Sequence, residues 1–261
     1  MDKNQFGKTS ELHLEALFKD GRTCLGDVTF TAPFKIMHPF YEKKDRMTVM
    51  LQIASAGLLE GDRQIFDLQV REGASMEFLS QSYEKIHRMP AGHAERQVKI
   101  KVEKQADLSY TPLPVIPFRD ADFRSDTEVE LVDETARFVM TEVLTCGRVA
   151  YGEEFLFRRF RNRVSIFCGG QLIYRDNTLY QPSETDMTGF GMYEGYSHLG
   201  NMVFCNQQKD ADWMKQVREL LDSAEHAEGG VTSAASGAVV VRMLGRSGDT
   251  LLKLQEQILD L

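Results

Sequence analysis

The chain is short of the side chains that make cross-links, clusters and nucleophilic centres. Its four cysteines, Cys24, Cys146, Cys168 and Cys205, are scattered over 261 residues without a Cys-x-x-Cys pair. That excludes a paired-cysteine zinc site, gives no disulfide framework, and leaves reduced thiols as the expectation. No apolar window approaches the ~20 residues that span a bilayer, and residues 1–8 lack the apolar core of a signal peptide, so a cytoplasmic protein without membrane contact is expected. A phosphate-binding loop is missing as well. The run Gly189-Phe190-Gly191-Met192-Tyr193-Glu194-Gly195 spaces its glycines loosely, carries no Lys-Ser/Thr pair and precedes no clear helix, so it reads as a loop with unusual backbone angles. No Gly-x-Ser-x-Gly elbow is present, and nothing assigns Cys146 a histidine base, so Cys146 reads as a small buried apolar residue. Positive charge is in deficit, with 31 Lys+Arg against 39 Asp+Glu and a net charge of -8. That field repels phosphate backbones and disfavours nucleic acid as a partner. The local basic run Arg158, Arg159, Arg161 and Arg163 reads as a solvated or interface-facing strand edge.

What the chain does have is period-two alternation. Leu12, Leu14 and Ala16 alternate with Glu11, His13 and Glu15, and Lys19-Asp20-Gly21-Arg22 then supplies a hairpin turn. The pattern returns at Met47 to Ile53, Phe66 to Val70, Met76 and Phe78, Val98 to Val102, Val129 and Leu131, Phe138 and Met140, and Val164 and Ile166, with Gly169-Gly170 turning the chain towards Leu172. Helical spacing appears late. Trp213, Val217, Leu220, Leu221 and Ala224 predict an amphipathic helix from about Ala211 to Ala227. Ser247 is an N-cap for a second helix through Leu251, Leu254, Ile258 and Leu259, and Val231 to Gly245 between them reads as a small-residue loop followed by a buried strand. The expectation is a mainly β, multi-stranded antiparallel architecture with two C-terminal helices, folded as a single domain over residues 1–261. The absence of a βαβ alternation excludes a nucleotide-binding α/β fold.

Carboxylates offer the best candidates for chemistry. Asp62 closes a glycine-rich turn, and Glu153 with Glu154 follows Gly152. Glu142 shares its two-residue phase with Phe138 and Met140 and therefore points inward. An inward carboxylate must be hydrogen-bonded, paired or hydrated, since burying it bare costs several kcal/mol. Arg148 is a candidate partner, and two alternatives stand: an Arg-Glu pair that fixes neighbouring strands, or a polar, water-filled passage. His87 and His93 flank a Pro-Gly turn without a third ligand and read as loop residues, and His198 with Cys205 is discounted because residues seven apart on a strand face opposite ways. The segment Pro112 to Pro117 lacks amide donors at three positions and reads as an edge or surface ribbon.

Four strings follow one another: Gly57-Leu58-Leu59-Glu60-Gly61-Asp62, Gln81-Ser82-Tyr83-Glu84-Lys85-Ile86, Pro112-Leu113-Pro114-Val115-Ile116-Pro117-Phe118, and Gly147-Arg148-Val149-Ala150-Tyr151-Gly152-Glu153, with Val239-Val240-Val241-Arg242-Met243-Leu244-Gly245 near the carboxyl end. In this order the chain resembles the UreD-type (UreH) urease accessory proteins. The resemblance implies a supercoiled β architecture and a non-enzymatic, cytoplasmic chaperone for nickel insertion and urease metallocentre assembly. It further implies binding to apo-urease and to a UreF-type partner, recruitment of a UreG-type GTPase through that complex, and no tightly bound cofactor, with nickel in transit. On that basis Asp62, Glu142 and Glu153 are assigned to a transient nickel route, Gln81, Lys85 and Arg148 to its support, and Pro114, Pro117 and Phe118 to partner docking. His87-Arg88 replaces the aromatic that often follows Lys85-Ile86 in such proteins, which leaves His87 without a role. The alternative is a β-sandwich enzyme or sugar-binding module that uses exposed aromatics and carboxylates. Calorimetric titration with GTP and Mg²⁺ tests the missing phosphate loop: the chain is expected to give no saturable binding heat.

Overall fold

The computed structural model describes residues 7–41, 46–234 and 237–261. Residues 1–6, and with them most of the amino-terminal segment read above, lie outside the described residues. Two sheets face one another, and the chain passes repeatedly between them. β1 (Thr9–Lys19) and β2 (Arg22–Phe30) form a hairpin in the first sheet, and β3 (Phe34–Ile36) and β4 (Met47–Ile53) open the second. The chain then alternates. β5 (Arg63–Val70) lies in the first sheet, β6 (Ser75–Ser80) and the short β7 (Glu84–Ile86) in the second, β8 (Ala94–Val102) in the first, and β9 (Asp107–Thr111) with β10 (Val115–Pro117) in the second. β11 (Asp122–Leu131) returns to the first, β12 (Arg137–Thr145) to the second, and the hairpin of β13 (Arg159–Cys168) and β14 (Gln171–Tyr180) completes the first. β15 (His198–Cys205), β16 (Ala227–Ser233) and β17 (Val239–Gly245) extend the second.

The consequence is parallel pairing. β1, β5, β8, β11 and β13 are neighbours in the first sheet and all run parallel, as do β4, β6, β9 and β12 in the second. Parallel neighbours need a crossover, and here each crossover is a strand of the opposite sheet. The mainly β content, the two late helices and the supercoiled course are as expected, but the antiparallel expectation holds only for β1–β2, β3–β4, β13–β14 and the β12–β15–β17–β16 run. Alternation has period two in either direction, so it does not distinguish them. Turns such as Arg71–Ala74 decide the matter by leading across to the other sheet.

Between the sheets lies an apolar core in which Leu12, Leu14, Phe66, Leu68, Val98, Ile100, Val164 and Ile166 meet Phe34, Met47, Val49, Met76, Phe78, Leu108, Phe138 and Met140. The outer face of the second sheet is covered by α1 (Ala211–Asp222) and α2 (Gly248–Asp260). Asp210 caps α1 by accepting from Trp213 N at 2.9 Å, and Ser247 caps α2, as read from the sequence. α1 ends at Asp222 rather than near Ala227, because His226 takes a left-handed φ of 65° and Ala227 enters β16. Val231 to Ser233, expected to begin a loop, are the end of that strand, and residues 235 and 236 lie outside the described residues. Covered on both faces, β12, β15 and β17 carry consecutive apolar residues, Phe138–Met140, Met202–Cys205 and Val239–Val241. Trp213 anchors α1, with its ring edge-on to Phe204 at 5.1 Å and Lys209 Nζ 4.4 Å from its centroid. Trp213→Ala is expected to lower stability by roughly 3–5 kcal/mol, read as a reduced urea midpoint by circular dichroism.

Candidate functional site

The winding lines up one residue of each turn with its counterparts in the next. Across the first sheet the register joins Ser10 to Gln64, Gln64 to Arg96, Arg96 to Ser125, Ser125 to Asn162 and Asn162 to Thr178. Ser10, Gln64, Arg96 and Asn162 each stand two residues ahead of a core residue, Leu12, Phe66, Val98 and Val164, and so face the interior with it. Across the second sheet a shorter row joins Glu142 to Asn201, Asn201 to Arg242 and Arg242 to Gly230. The two rows enclose a cavity of about 70 Å³ lined among others by Arg96, Ser125, Glu142, Asn162, Asp176 and Arg242. At 10–15 Å³ per water position, that is room for roughly five waters.

This polar layer lies between two apolar clusters. The main core is on one side; on the other, Leu58, Ile86, Met89, Phe123, Leu144, Phe155, Phe157 and Phe160 close one end of the molecule. Arg96 shows the arrangement directly, since its guanidinium lies 5.5 Å from the ring centroids of both Phe66 and Phe123. Its Nη2 meets Glu84 Oε2 at 2.5 Å and its Nε donates to Gln64 Oε1 at 2.8 Å, with only 11% and 9% of the Arg96 and Glu84 side chains exposed. That charge is neutralised in place. Glu142 has no such partner. Asn162 Nδ2 donates to its Oε1 at 2.9 Å, and the Asn201 amide lies beside it with Oδ1 buried and without a hydrogen-bond partner in the protein. Glu142 opens onto the cavity and is otherwise surrounded by protein. Burial raises its carboxyl above the ordinary value, the Asn162 and Asn201 amides and the more distant Arg242 oppose that shift, and Asp176 adds to it. The neighbouring Tyr110 hydroxyl is pushed up to about 12 by the same loss of solvent.

Of the three carboxylates read from the sequence, only Glu142 reaches the cavity. Asp62 serves its own turn: Oδ2 accepts from Leu59 N at 2.8 Å and Oδ1 from Gly7 N at 3.3 Å. Glu153 is bound to Arg148 through two contacts, 2.5 Å to Nη2 and 2.8 Å to Nε, which hold its carboxyl below the usual range. Arg148 is therefore the partner of Glu153 and not of Glu142; it lies between the Phe118 and Tyr151 rings at 4.2 and 4.8 Å. Gln81 and Lys85 are exposed, outside the cavity. Pro114 and Pro117 are buried rather than displayed, and β10 is flanked by β7 and β12 instead of lying at an edge. The prolines are tolerated because these bonds of the ladder need no donor from them: Glu84 N donates to Pro114 O at 2.9 Å, and beyond Pro117 it is Phe118 N that donates to Ile86 O at 2.9 Å. Phe118 is half-buried.

The four strings singled out in the sequence meet at this same end. Leu58 bridges to Ile86, β7 pairs with β10, and Gly147 packs against Pro117 O and Glu153 O. Gly57 and Gly147 have φ of 134° and 138°, and a Cβ on either would strike the carbonyl oxygen of Lys85 or Glu153. Both glycines are thus required by close backbone approach. His87 Nε2 contacts Ala56 O at 2.9 Å, and among the described residues no three His, Cys, Asp or Glu side chains converge on a metal position. The basic run is engaged in ion pairs and carbonyl contacts: Arg161 and Arg163 share Asp126, and Arg158 holds Asp122 and the Met89 and Gly92 carbonyls. The row Ser10, Gln64, Arg96, Ser125 and Asn162 was not picked out from the sequence, although polar residues in the inward phase of successive strands were its signal.

Fold and site together define a wound two-sheet β scaffold with a polar seam through its interior. The family model described as "UreD urease accessory protein" matches residues 8–261. The chain is 39% identical to the urease accessory protein UreD of Acetivibrio thermocellus over 98% of this chain and 99% of that protein. Identity to the urease accessory protein UreH of Helicobacter pylori is 36% over 98% and 95%, and to the UreD of Flavobacterium johnsoniae 30% over 93% and 88%. The chain belongs to the UreD family of urease accessory proteins, whose role is in urease maturation.

The raised carboxyl of Glu142 makes a signed prediction. A folded-state pKa above the unfolded value of about 4.3 contributes stability that is complete below the unfolded pKa and lost as pH rises through the folded one. Glu142→Gln keeps the volume and the Asn162 bond but cannot ionise. The variant is expected to melt no lower than wild type at neutral pH, with a margin that grows as pH rises. A melting temperature that falls below wild type increasingly as pH rises would show instead that the ionised carboxylate is held by a partner.

Proposed function

We propose that this chain is a non-enzymatic maturation factor that holds apo-urease and its nickel source together and gives Ni²⁺ a guarded internal path between them. The observation that carries the reading is Glu142: an enclosed carboxylate with amide neighbours, an unsatisfied Asn201 Oδ1 beside it and room for water. A fold that needed only rigidity would gain from an apolar residue there, because burying a carboxylate without a cation costs several kcal/mol. A passing divalent ion supplies the missing positive charge. Oxygen ligands suit transit, since carboxylate and amide oxygens hold Ni²⁺ less firmly than thiolates or imidazoles do. Arg96, which lines the cavity, is neutralised by Glu84 and so competes little for the ion.

The partners in this reading are apo-urease, a UreF-type helical protein and, through it, a UreG-type GTPase that handles the nucleotide. No tightly bound cofactor and no nucleic acid are involved, and the site of action is the cytoplasm. Support for docking at the motif-bearing end comes from Val149 and Tyr151, which expose 47% and 76% of their surface beside the half-buried Phe118. Of the described residues no helix is long and apolar enough to cross a membrane. Reconstituted activation of apo-urease with the UreF-type and UreG-type partners, GTP and Ni²⁺ is the test. Glu142→Gln is expected to leave the co-purified complex intact while slowing activation roughly tenfold, the effect of about 1.4 kcal/mol on a barrier. Full activation by this variant would remove the internal route and leave a scaffold alone.

A further inference from the structure

The outer end of the polar cavity lies where β14 and β16 form the edges of the two sheets. Arg242 lines the cavity and also two external clefts, one beside Tyr180 and Glu228 and the other beside Tyr174 and Thr232. Asp176 lines the cavity and a third cleft beside Lys99 and Arg175. The two side chains are ion-paired across the gap between the sheets, Nη2 of Arg242 on Oδ2 of Asp176. The wall between interior and solvent at this edge is therefore a salt bridge.

Its surroundings differ from those of the other ion pair on the cavity. Arg96 and Glu84 are sealed in, whereas the Arg242 side chain is 54% exposed and Asp176 16%. A pair with one solvent-exposed arm loses less on separating than one sealed on both sides, and here the exposed arm is that of Arg242. Space for separation is present. Gly230 stands opposite Arg242 in the β16–β17 ladder, and a Cβ added there would meet nothing within 4 Å. At the adjacent Gly229 a Cβ would collide with Arg242 O at 2.6 Å, so packing requires the first glycine of the pair and not the second. Behind Arg242 the row continues inward through Asn201 to Glu142. Oxygen groups are thus ranked from Asp176 at the mouth to Glu142 inside.

We propose that Arg242 gates the cavity: its guanidinium occupies the Asp176 carboxylate that a divalent cation must use to pass, and it yields by swinging over Gly230. A tethered cation in that seat admits only an ion that binds the carboxylate well enough to displace it, and it reseals the mouth afterwards. The inference rests on the reading that the cavity carries a cation.

Access to the cavity tests it without reference to urease. Ser125 lines the cavity and is 6% exposed, and Ser125→Cys is nearly isosteric. The full chain, in the complex in which it is purified, is treated with the small cationic reagent aminoethyl methanethiosulfonate; peptide mass mapping separates the label on residue 125 from that on the partly exposed Cys24 and Cys168. Arg242→Gln in this background is expected to speed labelling roughly fivefold, the factor that breaking a surface ion pair corresponds to. Arg242→Lys, which keeps the tethered charge, is expected to stay near wild type, and Gly230→Val, which fills the lane, to slow labelling. Equal rates in wild type and Arg242→Gln, with both proteins melting normally, would overturn the gate. The two readings fail separately. Unchanged labelling with impaired activation by Glu142→Gln removes the gate alone, whereas faster labelling in Arg242→Gln with full activation by Glu142→Gln removes the cargo and keeps the gate.

Discussion

The register between successive turns is the constraint from which the rest follows. Because the chain passes through the other sheet between each of them and the next, β1, β5, β8, β11 and β13 stack in parallel with no offset at the critical position. One polar residue per turn then becomes a continuous line. A slip of one residue in any strand would turn its polar residue to solvent and its core residues with it, so the apolar core enforces the polar row. Leu12, Phe66, Val98 and Val164 thereby fix the positions of Ser10, Gln64, Arg96 and Asn162.

A polar layer inside a protein is tolerable only if its members satisfy one another. Most here do. Arg96 is shared between Glu84 and Gln64, Ser10 Oγ donates to Ala32 O at 3.2 Å, and Asn162 is held by Glu142. The shortfall is local. It falls on Glu142, which has no cation in contact, and on Asn201 Oδ1, which has no donor. Both lie in the second sheet, one register step apart, on the side where Arg242 and Asp176 close the cavity. The α2 helix holds the same strands from behind, with Gln255 Nε2 donating to Glu142 O at 3.1 Å and reaching Asn201 O at 3.4 Å. The backbone at the unsatisfied position is thus pinned, and its incompletely bonded side chains are not the product of a loose fold.

Much of this was legible in the sequence, and what was not has definite physical reasons. The inward phase of Glu142 followed from Phe138 and Met140, and the helix start at Ser247 from capping chemistry. Strand direction did not follow, because Glu72-Gly73 looks the same whether it returns the chain beside itself or carries it to the facing sheet. The polar row was hidden for the same reason: that Gln64, Arg96 and Ser125 belong together is a statement about register between distant strands, and one chain read by itself carries no register. Asp62 and Glu153 lie outside this cavity, because a carboxylate beside glycines serves a turn as readily as a site. In both cases backbone amides or an adjacent arginine had already claimed the oxygens.

The four strings before Glu154 that made the family recognisable serve the cap more than the polar chemistry, to which they bring Glu84 as the partner of Arg96, while Arg242 comes from the carboxyl-terminal string. Gly57 to Asp62, Gln81 to Ile86, Pro112 to Phe118 and Gly147 to Glu153 build the cap at one end, where backbones approach too closely for a side chain at Gly57 or Gly147 and where Pro114 acts as an acceptor at the start of a short bridging strand. Close approach restricts residue type severely, so such segments are conspicuous in a sequence. The cavity walls are restricted differently: they need polarity in a given phase, which serine, asparagine, threonine or glutamine all supply. A seam of that kind leaves little trace in any one string. It becomes visible only when the winding brings its members into line, and it is the cap, by fixing the starts of β5, β8 and β11, that keeps them there.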